Sequence, residues 1–327
     1  MRVRINREMC SSFASAVKGL KFKVDEFSDP LLFPPENASL EEVANFFFFI
    51  VAIDHRTRFK FEGVIEGREL HGSELLYALA RRKSDYFTAE KMQRISKREV
   101  ASWLSIRGSS IFDPEVRAML LRDSAIKLLK YFNGSALELI KAADGYLMRE
   151  DGKGLLQLLA KFKAYSDPLS KKSFLLVKFL ERRKLFEVKD VENLHIPVDN
   201  VLARIALRSG VIEVVDKKLE MKLKKYLPAT RSDDLDVRTL AQRAYDIIAS
   251  ESELKITLLD DILWTLGRAC CTRESPVCFN CRFESCRASN LLGIECKYNC
   301  IFSAGCRGAE DSNYKAYLEP NFKTWYY

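Results

Sequence analysis

Several things are scarce in this 327-residue chain, and each scarcity excludes something. No uninterrupted apolar run approaches the roughly 18 residues that a membrane span needs, so no span is expected. Met1 to Arg7 is basic but no apolar stretch follows, which is not the pattern of a secretory leader. The expectation is a soluble chain of the cytoplasm. Between Cys10 and Cys270 there is no cysteine at all, which argues against a disulfide framework running through the fold. Only three glutamines occur, Gln93, Gln157 and Gln242, against 30% charged residues, a balance that leans toward a thermophilic source. No glycine lies between Gly154 and Gly210, and no internal repeat or low-complexity tract is present.

What is present is enough to build a core: 47% of residues are hydrophobic. The net charge of +8 is compatible with an anionic partner such as a nucleotide, DNA or RNA, and equally with a densely charged solvated surface. Helical periodicity dominates. Ser39 with Glu42 reads as a capping box opening a helix that runs into Phe46–Phe49 and Ile53. Arg58 to Leu70 alternates, with glycines at 63 and 67, and reads as a small β-hairpin, expected to be the sole sheet of note. Asp113-Pro114-Glu115 opens another helix, as do Ser135 and Ser170, and two more are expected near Val237–Ser250 and Leu258–Gly267. The expected class is mainly α, divided into an N-terminal helical part with the hairpin (1–110), a helical core (111–268) and a Cys-rich tail (269–327).

The stretch from Ile196 to Gly210 carries the most specific local signal. Pro197 marks a boundary, and Asp199 and Asn200 are good N-cap residues. Val201, Leu202, Ile205 and Ala206 then repeat at helical spacing, with Arg204 and Arg208 on the other face. This places a carboxylate at the positive end of a helix dipole. Local pattern alone makes Asp199 a cap.

Eight of the nine cysteines fall between Cys270 and Cys306. Cys271, Cys278, Cys281 and Cys286 are separated by six, two and four residues, and four thiolates around a C-x2-C pair suit either a [4Fe-4S] cluster or tetrahedral zinc. Cys270, Cys296, Cys300 and Cys306 form a second group that could be a separate zinc site or supply alternative ligands.

The first cysteine group resembles the C-terminal cluster loop of endonuclease III-type DNA glycosylases, one residue short in the last gap. Pro197-Val198-Asp199 resembles the motif that carries the catalytic aspartate in that helix-hairpin-helix superfamily. The glycine-rich hairpin turn with which DNA-binding members hold phosphate has no counterpart in the glycine-free stretch. Lys171 or Lys172 falls where a lyase member's Schiff-base lysine would lie, although surface lysines at a helix start are commoner.

A second resemblance covers more of the chain. Asn45-Phe46 with Phe48, the segment through His71-Gly72-Ser73, Ser84 to Phe87, Tyr131 to Ser135, Asp199 eleven residues before Gly210, Leu258-Leu259-Asp260 with Leu263-Trp264, and the terminal Tyr326-Tyr327 follow, in order, motifs of the queuosine salvage family. That family is similar to DNA glycosylases in fold and releases queuine from its nucleotide. The resemblance implies a DNA-glycosylase-like fold and an N-glycosidase acting on a modified nucleotide or nucleoside. Asp199 would be catalytic, and Asn45, Phe46, Phe48, His71, Asn200 and Trp264 would hold substrate. The family's tyrosine and arginine beside the aspartate are Asn200 and Val201 here, and its tryptophan after NFxF is Phe49. The rival readings are a base-excision DNA glycosylase with a [4Fe-4S] cluster and a non-catalytic nucleic-acid-binding protein.

Overall fold

A computed structural model describes residues 2–57, 61–274, 276–279, 281, 286–295 and 299–327. It is mainly helical. In chain order the helices are α1 (Arg7–Val17), α2 (Leu40–Ile53), α3 (Ser73–Arg81), α4 (Ala89–Met92), α5 (Lys97–Trp103), α6 (Pro114–Phe132), α7 (Ala136–Ala142) and α8 (Leu155–Leu159). There follow α9 (Lys171–Arg182), α10 (Asn200–Ser209), α11 (Lys217–Lys224), α12 (Arg231–Ser252), α13 (Ile256–Ala269), α14 (Arg287–Leu292), α15 (Arg307–Glu310) and α16 (Ser312–Lys315). The strands are β1 (Val3–Ile5), β2 (Glu62–Ile65), β3 (Arg68–His71), β4 (Ser105–Ile106), β5 (Ser109–Ser110) and β6 (Ile212–Val214). No helix among the described residues is long and apolar enough to cross a membrane.

The chain divides into two compact units, Met1–Val24 with His195–Lys323, and Asp25–Leu194 with Thr324–Tyr327. The boundaries expected at 110 and 268 are therefore not the ones observed. The reason lies in the first residues, which do not fold with the helices that follow them. β1 pairs antiparallel with β6, Val3 opposite Val214 and Ile5 opposite Ile212, and α1 packs on α12. The tail up to Lys323 joins the same unit, sharing its core through Ala288, Leu292, Phe302 and Tyr317.

In this first unit α10 lies against α12 and α13. A Cβ at Gly267 of α13 would stand 2.2 Å from Val201 Cγ1 and 2.8 Å from Ile205 Cδ1, so only glycine lets the two helices approach this closely. Residues 214–238, densely charged, contain α11 and the first turns of α12.

The second unit is built around α2. Its residues from Val43 to Ile53 are all buried, as expected for a helix apolar on every side. Phe33, Phe47 and Phe179 meet on one flank, and Phe48, Phe162 and Tyr165 on another. Ser39 Oγ accepts from Glu42 N–H and opens this helix, which is half of the capping box expected there. The hairpin forms as β2–β3, Glu62 opposite His71, closed by Glu66 and Gly67, both left-handed, as a two-residue turn requires. Arg58 to Lys60 lie outside the described residues. The sheet is not alone, because β1–β6 and β4–β5 also form. Two expected caps fail. Asp113 and Ser170 precede α6 and α9 but are left-handed and make no side-chain cap, and Asp167 Oδ2 accepts from Lys171 N–H instead.

The far end of α2 is the more instructive one, because a helix C-terminus buried away from water needs donors for its last carbonyls. Lys172 Nζ donates to Ala52 O at 2.6 Å. Arg117 Nη1 donates to Ile53 O, its Nη2 to His55 O and its Nε to Phe112 O. Asp54 adds negative charge beside these cations and accepts from Ser73 Oγ and Tyr77 OH. Burial first, then Lys172 and Arg117, holds the His55 imidazole well below its usual range. The folded chain thus stays uncharged at His55 where the unfolded chain takes up a proton, so stability falls as pH drops below about 6.5. Urea midpoints at pH 7 and pH 5 should show a drop for wild type that is smaller in His55→Gln; equal drops would contradict this assignment.

Candidate active residue and cysteine site

Asp199 is held by its neighbours before it does anything itself. Arg238 and Gln242, on α12, reach the preceding segment: Arg238 Nε donates to Val198 O and Gln242 Nε2 to Ile196 O, both at 3.1 Å. Arg238 and Asp234 are buried and paired at 3.4 Å, so the clamp carries its own counter-charge. Asp199 then N-caps α10, its Oδ1 accepting from Val201 N–H at 2.8 Å and Leu202 N–H at 3.0 Å. Its side chain is half-buried, and Oδ2 accepts no hydrogen bond among the described residues. The cap expected from local pattern is there. The geometry also leaves one carboxylate oxygen immobilised and available for other chemistry. Sequence reading did not single out Arg238 or Gln242, because nothing in a helix's own periodicity says that its polar residues will clamp a distant strand-like segment.

The charged face of α10 is not exposed, contrary to the amphipathic reading. Arg204 and Arg208 are both buried. Arg204 donates to Gly267 O and Cys271 O and pairs with Glu319 at 3.0 Å. Arg208 donates to Tyr317 O, Thr272 O and Arg273 O, and its Nη1 lies 3.6 Å from Cys271 Sγ. The two guanidiniums satisfy the carbonyls of the chain as it leaves α13, so the tail is folded over this face of the helix.

Against that face lies a cavity of about 40 Å³, lined by Cys270, Cys271, Cys278, Cys300 and Cys306 with Phe13, Ile205, Arg208, Phe302 and others. One water needs about 10–15 Å³ of such space, so the cavity has room for roughly three waters. Burial pushes the Cys300 thiol up to about 12 and the Cys306 thiol up to about 11, with Cys271 and Cys278 adding to both. Four thiols of one electrostatic neighbourhood therefore differ from the group the spacing suggested. Cys271 and Cys278 belong to it, but Cys281 and Cys286 do not line the cavity; Cys281 is buried elsewhere and Cys286 opens α14. Cys300 and Cys306 also line the cavity. Cys296 lies outside the described residues. All eight described cysteines are free thiols, and no group of three or more His, Cys, Asp or Glu among the described residues is disposed to hold a metal ion.

The substrate-side candidates divide. Phe46 and Phe48 are core rings, 0% and 1% exposed, packed on Phe87 and on Tyr165, and neither offers a face to a base. Asn45 is also structural: its Nδ2 donates to Glu41 and its Oδ1 accepts from Ala136 N–H, capping α7. His71 is half-buried beside Glu62, its partner across the strand pair. Asn200 is half-buried at the first turn of α10, and half-buried Trp264 carries the Arg268 guanidinium 4.5 Å from its ring centre. Lys171 and Lys172 are not surface lysines; they are 7% and 0% exposed. Lys172 is committed to Ala52 O and lies 3.4 Å from His55 Nδ1. Among the described residues His55 Nε2 and, beside Lys172, Ser173 Oγ find no hydrogen-bond partner, a costly state for buried polar atoms.

No family model matches the chain, and no curated protein matches it.

Proposed function

We propose that the protein is an N-glycosidase that hydrolyses the bond between base and sugar of a modified, 7-deazaguanine-type nucleotide or nucleoside. The observation that supports this most is the state of Asp199: one oxygen locked by two helix amides, the other accepting no hydrogen bond among the described residues. Cleaving an N-glycosidic bond builds positive charge on the sugar. A carboxylate that is already fixed stabilises that charge without reorganising, and it can orient the attacking water. Arg238 and Gln242 act as positioning residues, holding the segment from Ile196 to Val198 so that Asp199 is not displaced. The ordered likeness to queuosine salvage motifs suggests the substrate class. With Phe46, Phe48 and Asn45 structural, base recognition falls to other residues, among which Asn200 and Trp264 remain partly accessible.

A second reading, a base-excision DNA glycosylase, is favoured by the cysteine-rich tail and the net charge of +8. The two separate in one experiment. The protein is incubated in parallel with a 7-deazaguanine-type nucleoside 5′-monophosphate, the corresponding nucleoside and damaged duplex DNA, and released base is measured by chromatography. Base from the free nucleotide or nucleoside, with weak duplex binding, is the expected result. Base from the duplex alone, with affinity falling steeply as salt rises, identifies the repair enzyme. No release from any of the three contradicts both.

A further inference from the structure

We infer that His195, through its pair with Asp246, is a positioning residue for Asp199, the outermost of the contacts by which one face of α12 keeps that carboxylate in place. The inference deepens the glycosidase reading and rests on it. Arg238, Gln242 and Asp246 follow one another at intervals of four residues on α12, so they share a face. Arg238 donates to Val198 O and Gln242 to Ile196 O, both at 3.1 Å. Asp246 Oδ2 takes the next place, 3.0 Å from His195 Nδ1. As α12 runs forward its partners run back from Val198 to His195, so the segment lies antiparallel along the helix. Beyond Asp199, Tyr245 OH of the same helix donates to Leu202 O at 2.7 Å. Leu202 N–H is one of the two amides that cap onto Asp199 Oδ1. Asp199 is thus bracketed on both sides by attachments to α12.

The place of His195 in the chain gives this contact its role. His195 is the residue at which the chain re-enters the unit that holds Asp199. A displacement of the chain before it reaches the carboxylate four residues on unless the entry is fastened, and misplacing a reacting group by about 1 Å costs about a hundredfold in rate. The contacts at Ile196 and Val198 engage backbone carbonyls, whereas the one at His195 titrates near neutral pH. The hydrogen bond to Asp246 first, with the same carboxylate's charge, holds the imidazole above its ordinary range against partial burial, and Asp246 is the charged group acting on it. The ion pair is therefore complete below the ordinary imidazole value of about 6.5 and is lost as pH rises through the raised one. The two side chains are 38% and 30% exposed, so the pair adds little to global stability and its effect is local.

The test measures kcat and KM for base release from the 7-deazaguanine-type nucleoside 5′-monophosphate across the neutral pH range, for wild type, His195→Gln and Asp246→Asn. Wild-type kcat should fall along a limb above about pH 6.5. Both variants should lack that limb, with kcat about fivefold or more lower on its acid side and KM changed by less than about twofold. A lowered melting temperature with the limb intact would mean that the pair only stabilises the unit, and overturns the inference. Hydrogen exchange at the Val201 and Leu202 amides reads the placement of Asp199 without any turnover. On the acid side of the limb both amides should exchange about fivefold faster in the variants, while amides in the middle of α13 keep their rates. Equal exchange overturns the inference whatever the activity. A wild type that releases no base but shows the exchange difference overturns the glycosidase reading alone.

Discussion

Lys172→Ala is expected to cost about 3–5 kcal/mol of stability, as much as deleting a large core side chain. Two contributions add. The lysine is fully buried, so its four-carbon stem leaves a void among packed neighbours, worth about 2–3 kcal/mol. Its Nζ donates to Ala52 O at the dry end of α2, and a buried carbonyl left without a donor costs about 1–3 kcal/mol more. An opposing effect exists, since burial, with Lys171 and Arg117 nearby, pulls the amine well below the usual lysine range. Relieving that strain does not win, because the carbonyl that needs the donor stays in place. Replacing a buried polar pair is harmless only when both partners go. Lys172→Met keeps most of the stem and should cost only the carbonyl's share. Urea unfolding followed by helical circular dichroism measures both. A loss under about 1 kcal/mol for alanine would mean that Ala52 finds another donor and that the amine does not close the helix.

This cluster also shows where sequence reading stops. The apolar run from Val43 to Ile53 announced a buried helix, and periodicity located α6, α10, α12 and α13. Nothing local said that Lys172, 120 residues further on, would reach the end of α2. A lysine at a helix start is usually solvated, so propensity pointed the wrong way. The same applies to Arg204 and Arg208. Their spacing marks a polar face, and only the folding of the tail over α10 turns that face inward. The short strand Val3–Ile5 was illegible for a related reason: its partner lies some 200 residues away, and three residues carry no period. For the cysteines, proximity in sequence stood in for proximity in space. Of the four closely spaced cysteines, Cys271 and Cys278 line the cavity, and Cys300, 22 residues after Cys278, lines it too.

Asp199 was legible both as a cap and as a candidate catalyst, and these two roles can be separated chemically. Asparagine caps a helix about as well as aspartate, its side-chain oxygen accepting the same amide hydrogen bonds. It carries no charge, so it can neither stabilise a sugar cation nor act as a base toward water. Asp199→Ala loses both functions and should also cost about 1 kcal/mol of stability. The asparagine variant is thus the sharper probe, with its fold retained and its chemistry removed. The most direct measurement is base release from the modified nucleotide by wild type and Asp199→Asn, alongside their melting temperatures. A fall in turnover of about 10³-fold with melting unchanged is the expected result. Equal turnover in the two proteins would contradict the assignment of the carboxylate to catalysis.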